Sequence, residues 1–230
     1  MRILDLFCGA GGASMGYRQA LPDAEIVGVD HQPQPHYPFT FIQADATALD
    51  FYDDFDFIHA SPPCQTYSTL RVSKGVKEYD DWILPFTQQI LRSFAAAGGS
   101  YVIENVPGAP LTDPIRLCGS AFPILTTDWN GERHELRRHR LFETSFDVSG
   151  TECAHVWPVL GVYGTISRNP RRSKRGTKAG IRQAEELMGI GWMTPKELVQ
   201  AIPPAYTRFV MEQWLRQAND HVGVAEHRLR

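Results

Sequence analysis

Five short apolar runs before Val106, separated by turns or helix-spaced segments, constrain this chain more than anything else in it. They are Ile3 to Phe7, Glu25 to Asp30, Thr40 to Gln43, Phe55 to Ala60 and Tyr101 to Glu104. A Gly-rich turn and a helix from about Ala13 to Ala20 follow the first. Before the last, Trp82 to Ala97 carries apolar residues at helical spacing (Ile83, Phe86, Ile90, Leu91, Phe94), and Gly98-Gly99 stops it. Strands alternating with helices predict an α/β fold, with a parallel sheet covered on both faces. After Val106 the pattern weakens. Arg140 to Glu143 reads as a further strand, and Pro158 to Arg182 as a loop or small lobe. Glu185 to Met188 and Pro195 to Ala201 read as short helices, and Pro203-Pro204 precedes a last helix from about Ala205 to Gln217. A frayed tail is expected from Asn219.

A chain of 230 residues supports one sizeable core, or one domain and a small lobe. Hydrophobic residues at 43% and charged residues at 21% exclude a disordered chain. No apolar run reaches the length of a membrane span, and the first residues run into a strand without a signal-peptide pattern, so a cytoplasmic protein is expected. The four cysteines, Cys8, Cys64, Cys118 and Cys153, are scattered, and no disulfide framework is expected. Cys153-Ala154-His155, taken with Cys118 and either His134 or His139, matches no standard zinc spacing, so no metal is expected.

The net charge of −3 alone argues against a nucleic-acid partner. Its distribution argues the other way. From Ile166 to Arg182 the basic residues are Arg168, Arg171, Arg172, Lys174, Arg175, Lys178 and Arg182, with no acid among them. A local basic run binds phosphates whatever the total charge.

Cys8-Gly9-Ala10-Gly11-Gly12 ends the first strand and opens a helix. Glycines allow a sharp turn and a close approach of backbone to ligand at the carboxyl edge of such a sheet. The third glycine of a dinucleotide fingerprint is replaced by Ser14, so a diphosphate ligand is disfavoured. Asp30 ends the second strand, where an acid meets ribose hydroxyls, and Asp45 follows the third, where it suits an adenine amino group. Together they predict an adenosine ligand without a diphosphate.

Ser61-Pro62-Pro63-Cys64-Gln65 follows the fourth strand. Two prolines stiffen the loop that presents the thiol, and a thiolate is a strong nucleophile whose pKa nearby cations can lower. A lone cysteine is more often structural. Glu104-Asn105-Val106-Pro107 follows the fifth strand and brings a carboxyl group to the same rim. Arg137-Arg138-His139-Arg140 precedes another strand, with guanidinium groups suited to phosphate or carboxylate.

In this order, Asp5 to Gly12, Pro62 to Gln65, Glu104-Asn105-Val106 and Arg138-His139-Arg140 resemble the motifs of the cytosine-C5 DNA methyltransferase family over about residues 1 to 145. A weaker likeness returns at Ala184 to Gly189 and Ile202-Pro203-Pro204. The resemblance implies a Rossmann-like S-adenosyl-L-methionine methyltransferase sheet built from 1–145 and 184–218, a reduced target-recognition region at 146–183 and a tail at 219–230. It implies a flipped cytosine, attack by Cys64 at C6, and hydrogen bonds from Glu104 to N3 and the amino group. Arg140, with Arg138, would orient the base, its phosphate or Glu104. Phe7, Cys8, Gly9, Ala10, Gly11, Gly12, Asp30, His31, Asp45, Ala46 and Pro63 would line the cofactor pocket. Gln65, Ser68, Arg168, Arg171, Arg172, Lys174 and Arg175 would meet double-stranded DNA. A monomer is expected.

The chain departs from the family pattern at three places. Leu136 stands where most members have Gln, and Val199-Gln200 where the last motif has Gly-Asn. Little chain separates Phe142 from Ala184, so the recognition domain is nearly missing, as in compact members carried by phages and mobile elements. A short or relaxed target sequence is expected. Two rival readings stay open. One is an RNA cytosine-C5 methyltransferase, since members acting on transfer RNA also have small recognition regions. The other is a regulator that binds cofactor without turnover.

Overall fold

A computed structural model describes residues 1–65, 67, 81–128, 130–166 and 178–227, the last nine of these as backbone only. Its centre is a seven-stranded sheet. Strands β1 (Arg2–Leu6), β2 (Glu25–Asp30), β3 (Thr40–Gln43), β4 (Phe57–Ala60) and β5 (Ser100–Asn105) are parallel. β6 (Ile115–Leu117) and β9 (Arg140–Thr144) complete the order β3-β2-β1-β4-β5-β9-β6, with β9 antiparallel to both neighbours. The strand order reverses direction beside β1, so the carboxyl ends of β1 and β4 open the crevice where α/β sheets bind ligands.

Alternation along the strands sorts the two cores. Leu4, Leu6, Val27, Val29, Ile58 and Ile103 face α2 (Ile83–Ala96), which adds Leu84, Leu91 and Phe94. Ile3, Ile26, Phe57 and Val102 face α1 (Gly12–Ala20) and the long α5 (Pro204–His227), which add Tyr17, Tyr206, Val210 and Met211. The helix α2 stops where Gly98 takes φ +101°. The two helices of the second face pack close enough to need glycine. A Cβ on Gly16 would lie 2.0 Å from Thr207 Oγ1 and 2.1 Å from the Pro204 carbonyl oxygen.

A second, three-stranded sheet stands beside the first: β7 (Leu125–Thr127), β8 (Arg133–Leu136) and β10 (Val159–Leu160), with β8 in the middle. Leu136, Leu160 and Val162 pack there against α3 (Ile181–Met188) and α4 (Pro195–Leu198). This small lobe combines residues on both sides of β9.

Most of the predicted elements in the first half form within two residues of their expected ends. The sequence pattern missed β6, β7, β8 and β10, which have two to four residues each, too few for a period to show. The tail differs from expectation: α5 continues as helix to His227, because no proline interrupts it.

Candidate active site

The Pro-Cys loop leaves β4 and is tied to β5. Asn105, fully buried, donates from Nδ2 to the Pro62 carbonyl at 3.0 Å, and its Oδ1 accepts from the Val106 amide at 2.9 Å. One side chain thereby fixes the loop that carries Cys64 and the turn that follows Glu104. Cys64 is half-buried and unoxidised.

Glu104 is 4% exposed, and Arg140 Nε lies 2.9 Å from its Oε1. That contact is an ion pair without hydrogen-bond alignment, and Oε1 has no hydrogen-bond partner among the described residues. The guanidinium charge of Arg140 offsets the burial of that oxygen. Burial pushes the Glu104 carboxyl above its ordinary value, opposed by Arg140, a hydrogen bond from Ser61, and Arg138.

Behind Glu104 runs a buried chain of polar groups that the sequence did not suggest. Tyr17 Oη is 2.7 Å from His59 Nδ1, and His59 Nε2 is 2.9 Å from Ser61 Oγ. Burial holds the His59 pKa down to about 3, so its ring is neutral. With Glu104 ionised, the chain has one consistent direction: Tyr17 donates to His59, His59 to Ser61 and Ser61 to the carboxylate. The alternation of β4 carries the only hint of it, since His59 is the polar residue in an otherwise apolar strand.

Burial also pushes the Cys64 thiol up, and the nearby Glu104 carboxylate adds to this; Arg140 and Arg138 pull the other way. The expected lowering by cations is present but outweighed. Arg138 itself is turned away from Glu104. Its Nη1 donates to the Val162 carbonyl at 3.0 Å, and its Nη2 to Val199 and Ala201 at 2.9 and 2.8 Å. It clamps the small lobe and the start of α5 to the β8–β9 junction. Burial and Arg140 lower its pKa to about 9.

At the other end of the cleft, Phe7 takes φ +57° and swings the chain into the glycine turn. The Gly9 amide donates to Asp30 Oδ2 at 3.1 Å, and the Gln32 amide to Asp30 Oδ1 at 2.9 Å. Gly9 has open space where a Cβ would point, which leaves room for a ligand. The other residues of the turn are tied into the protein. The Cys8 amide bonds to Val29, the Ala10 carbonyl accepts from Trp192 Nε1 at 2.9 Å, Gly11 caps α1 with φ +83°, and a Cβ on Gly12 would lie 2.4 Å from the Ile202 carbonyl oxygen. Ser14 is buried between Asp5 and Tyr37 Oη, so nothing there faces a diphosphate.

His31 is exposed, 3.3 Å from Asp30. Asp45 is exposed and holds the Thr47 amide and hydroxyl, which keeps its carboxyl below the usual range. Ala46 is buried, and with Leu6, Tyr52, Phe86 and Ile90 it borders a small apolar crevice of about 10 Å³, room for no more than a water. An open backbone at Gly9 and an acid at the end of β2 suit an adenosine ligand. Pro63 and Gln65 are exposed on the loop around Cys64. Ser68, Arg168, Arg171, Arg172, Lys174 and Arg175 lie outside the described residues.

Residues 1–113 match the sequence profile of the C-5 cytosine-specific DNA methylase family. Over these residues, just under half of the chain, the protein is similar to that family. The Type II methyltransferase M.HgiCI of Herpetosiphon aurantiacus is 28% identical over 123 residues, 49% of this chain and 29% of that protein. The Type II methyltransferase M.NlaX of Neisseria lactamica is 29% identical over 114 residues, 46% of this chain and 36% of that protein. The chain therefore matches about a third of the length of these curated relatives. In fold, it superposes on the S. pombe Dnmt2 methyltransferase with a TM-score of 0.61 at 15% identity, over 95% of this chain and 99% of that one. The fold is thus that of a Rossmann-like methyltransferase, and the methylase profile covers the glycine turn, the Pro-Cys loop and Glu104. Among the described residues, no helix is long and apolar enough to cross a membrane.

Proposed function

We propose that this chain is a member of the methylase family and transfers a methyl group from S-adenosyl-L-methionine to C5 of cytosine in double-stranded DNA, through a covalent bond from Cys64. The observation that carries the reading is the pairing of Cys64 with Glu104 on neighbouring strand ends, with Glu104 held by Arg140. The cofactor supplies an electrophilic methyl group on a sulfonium. Gly9 and Asp30 are the residues that would hold its adenosine, with Phe7, His31, Asp45, Ala46 and Pro63 around them.

The chemistry assigned to the residues is as follows. The Cys64 thiol loses its proton and Sγ bonds to C6 of an extruded cytosine. Glu104 contacts N3 and the exocyclic amine, and its raised pKa suits it to hold the proton that N3 takes as electron density moves to C5. C5 accepts the methyl group. Loss of the C5 proton to solvent then re-forms the C5–C6 double bond and expels the Cys64 thiolate, and N3 returns its proton to Glu104. Arg140 keeps Glu104 oriented throughout. Arg138 gives both terminal nitrogens to carbonyls, so its assigned role is positioning.

Residues 146–183 are assigned to a reduced recognition region. Its Arg168, Arg171, Arg172, Lys174 and Arg175, with Gln65 and Ser68 at the catalytic loop, are assigned to the nucleic acid, and a short or relaxed target follows. A monomer acting in the reducing cytoplasm suits a site that depends on a free thiol.

The test is covalent trapping on 5-fluorocytosine DNA with cofactor, where loss of the C5 proton is blocked. Wild type should form a denaturant-stable adduct that Cys64→Ser does not form. Methyl transfer to RNA and not DNA would change the substrate. Cofactor binding without any adduct or transfer would replace the enzyme by a binding protein.

A further inference from the structure

Away from the cleft, four side chains of zinc-ligand type meet at the junction of the two sheets. Cys118 follows the last residue of β6 and is fully buried. His139 lies between β8 and β9, one residue before Arg140. Cys153 and His155 lie on the segment that returns to β10. The nearest ligand atoms of all four lie within 4.8 Å of one another. His139 Nε2 is 3.1 Å from Cys153 Sγ, and His155 Nε2 is 3.5 Å from Cys118 Sγ. Zinc bonds of about 2.0 Å to nitrogen and 2.3 Å to sulfur make the edges of a tetrahedron roughly 3.3–3.8 Å long. The cluster needs only a small contraction to reach that.

A second observation concerns the support around it. His155 Nδ1 bonds to Glu135, a buried carboxylate on β8 that also accepts from the Val156 and Trp157 amides at 3.2 and 3.3 Å. A carboxylate on Nδ1 fixes the tautomer that leaves Nε2 free as a metal ligand. His134, the other histidine considered from sequence, is elsewhere, 3.4 Å from Asp128.

We propose that Cys118, His139, Cys153 and His155 bind one zinc ion in a closed, structural Cys₂His₂ site. Binding displaces the two thiol protons to solvent and leaves a neutral centre. The ion joins three segments distant in sequence and pins the 153–155 loop to the edge of the main sheet. It also fixes His139, whose carbonyl accepts from Arg140 Nη1 at 2.8 Å. The metal therefore braces the arginine that holds Glu104, without touching the cleft.

The experiment is metal analysis of the purified full-length chain, expressed with zinc and dialysed into metal-free buffer. About one zinc per chain should remain. Cobalt substitution should give the visible bands of a tetrahedral ion and a thiolate charge-transfer band. Cys153→Ser/His155→Ala should retain at least about tenfold less metal, while Cys64→Ser retains it. The wild-type cobalt spectrum decides the matter even if the double variant does not fold. Failure to retain added zinc, or a cobalt spectrum without thiolate charge transfer, overturns the proposal. So does an intact mass about 2 Da below the reduced value with Cys118 and Cys153 linked, since a disulfide removes two hydrogens. None of these readouts depends on methyl transfer.

Discussion

Arg140 Nε lies 2.9 Å from Glu104 Oε1 at the point where β9 runs antiparallel to β5, with Leu141 facing Asn105 and Phe142 facing Glu104 across the ladder. The ion pair is therefore fixed by sheet register and not by a flexible loop. Both partners act on the Cys64 thiol, with opposite signs.

That opposition gives the first prediction. The Cys64 pKa is raised above its ordinary 9.0 by burial and by Glu104, and pulled back by Arg140. Glu104→Gln removes the negative charge, so Cys64 alkylation by iodoacetamide should accelerate at a fixed pH below 9.0, while Arg140→Ala should slow it. Mass-spectrometric labelling rates against pH check both. Equal rates in all three proteins would show that the charges do not reach the thiol.

Asn105 joins the Cys64 loop to the end of β5 through one buried hydrogen bond. Asn105→Ala leaves the Pro62 carbonyl without its donor and should cost about 1–3 kcal/mol in urea unfolding. Methyl transfer should fall mainly through kcat, because the loop still forms but presents the thiol less accurately. An unchanged kcat would mean that the prolines alone hold it.

Asp5 gives a pH dependence of stability. It is fully buried, its Oδ1 has no hydrogen-bond partner among the described residues, and burial pushes its carboxyl up to about 7. In the unfolded chain it titrates near 3.8. Its stabilising contribution is complete below that value and is lost as pH rises through about 7. Asp5→Asn stays neutral and keeps an acceptor for Ser14. Between about pH 4 and pH 8, its stability relative to wild type should rise by a few kcal/mol, because each pH unit between the two titrations is worth on the order of 1.4 kcal/mol. Denaturant titrations across that range provide the check.

Two glycines should fail in different ways. Gly16→Ala drives a methyl into Thr207 and Pro204 and should lower the Tm by roughly 5 °C or more. Gly9→Ala meets no atom within 4 Å, and its cost is the left-handed backbone at φ +49°, about 1–2 kcal/mol. Its larger effect should be on S-adenosylhomocysteine affinity, measured by calorimetry, since its methyl points into the space assigned to cofactor.

The parts of this molecule that were legible in the sequence are those whose information is local. Glu25–Asp30 and Thr40–Gln43 formed where their apolar runs lie, and Gly98 ended α2 as expected. The Pro-Cys loop, Glu104 and the glycine turn come to one rim because each lies at or just beyond the carboxyl end of a strand. What stayed hidden depends on tertiary geometry. Arg138 looks like a phosphate or carboxylate ligand in sequence, yet its partners are three carbonyls up to 63 residues away. Cys118, His139, Cys153 and His155 have no recognisable spacing because sheet edges, not a local loop, bring them together. Polar strand residues such as His59 read as exceptions until their partners are known.

The contacts of the glycine turn set a timing for the chain. The Ala10 carbonyl waits for Trp192, 182 residues later, and the Ala13 carbonyl for Thr207, 194 residues later. Closing such long loops is slow, because chain entropy is lost before the contacts that offset it form. A ribosome making this protein releases the first motif early but cannot rigidify it until α5 has emerged. During synthesis the nascent chain exposes its sheet edges and the seat of the last helix until that helix docks. A cofactor bound to the turn can favour the folded state only after that final docking.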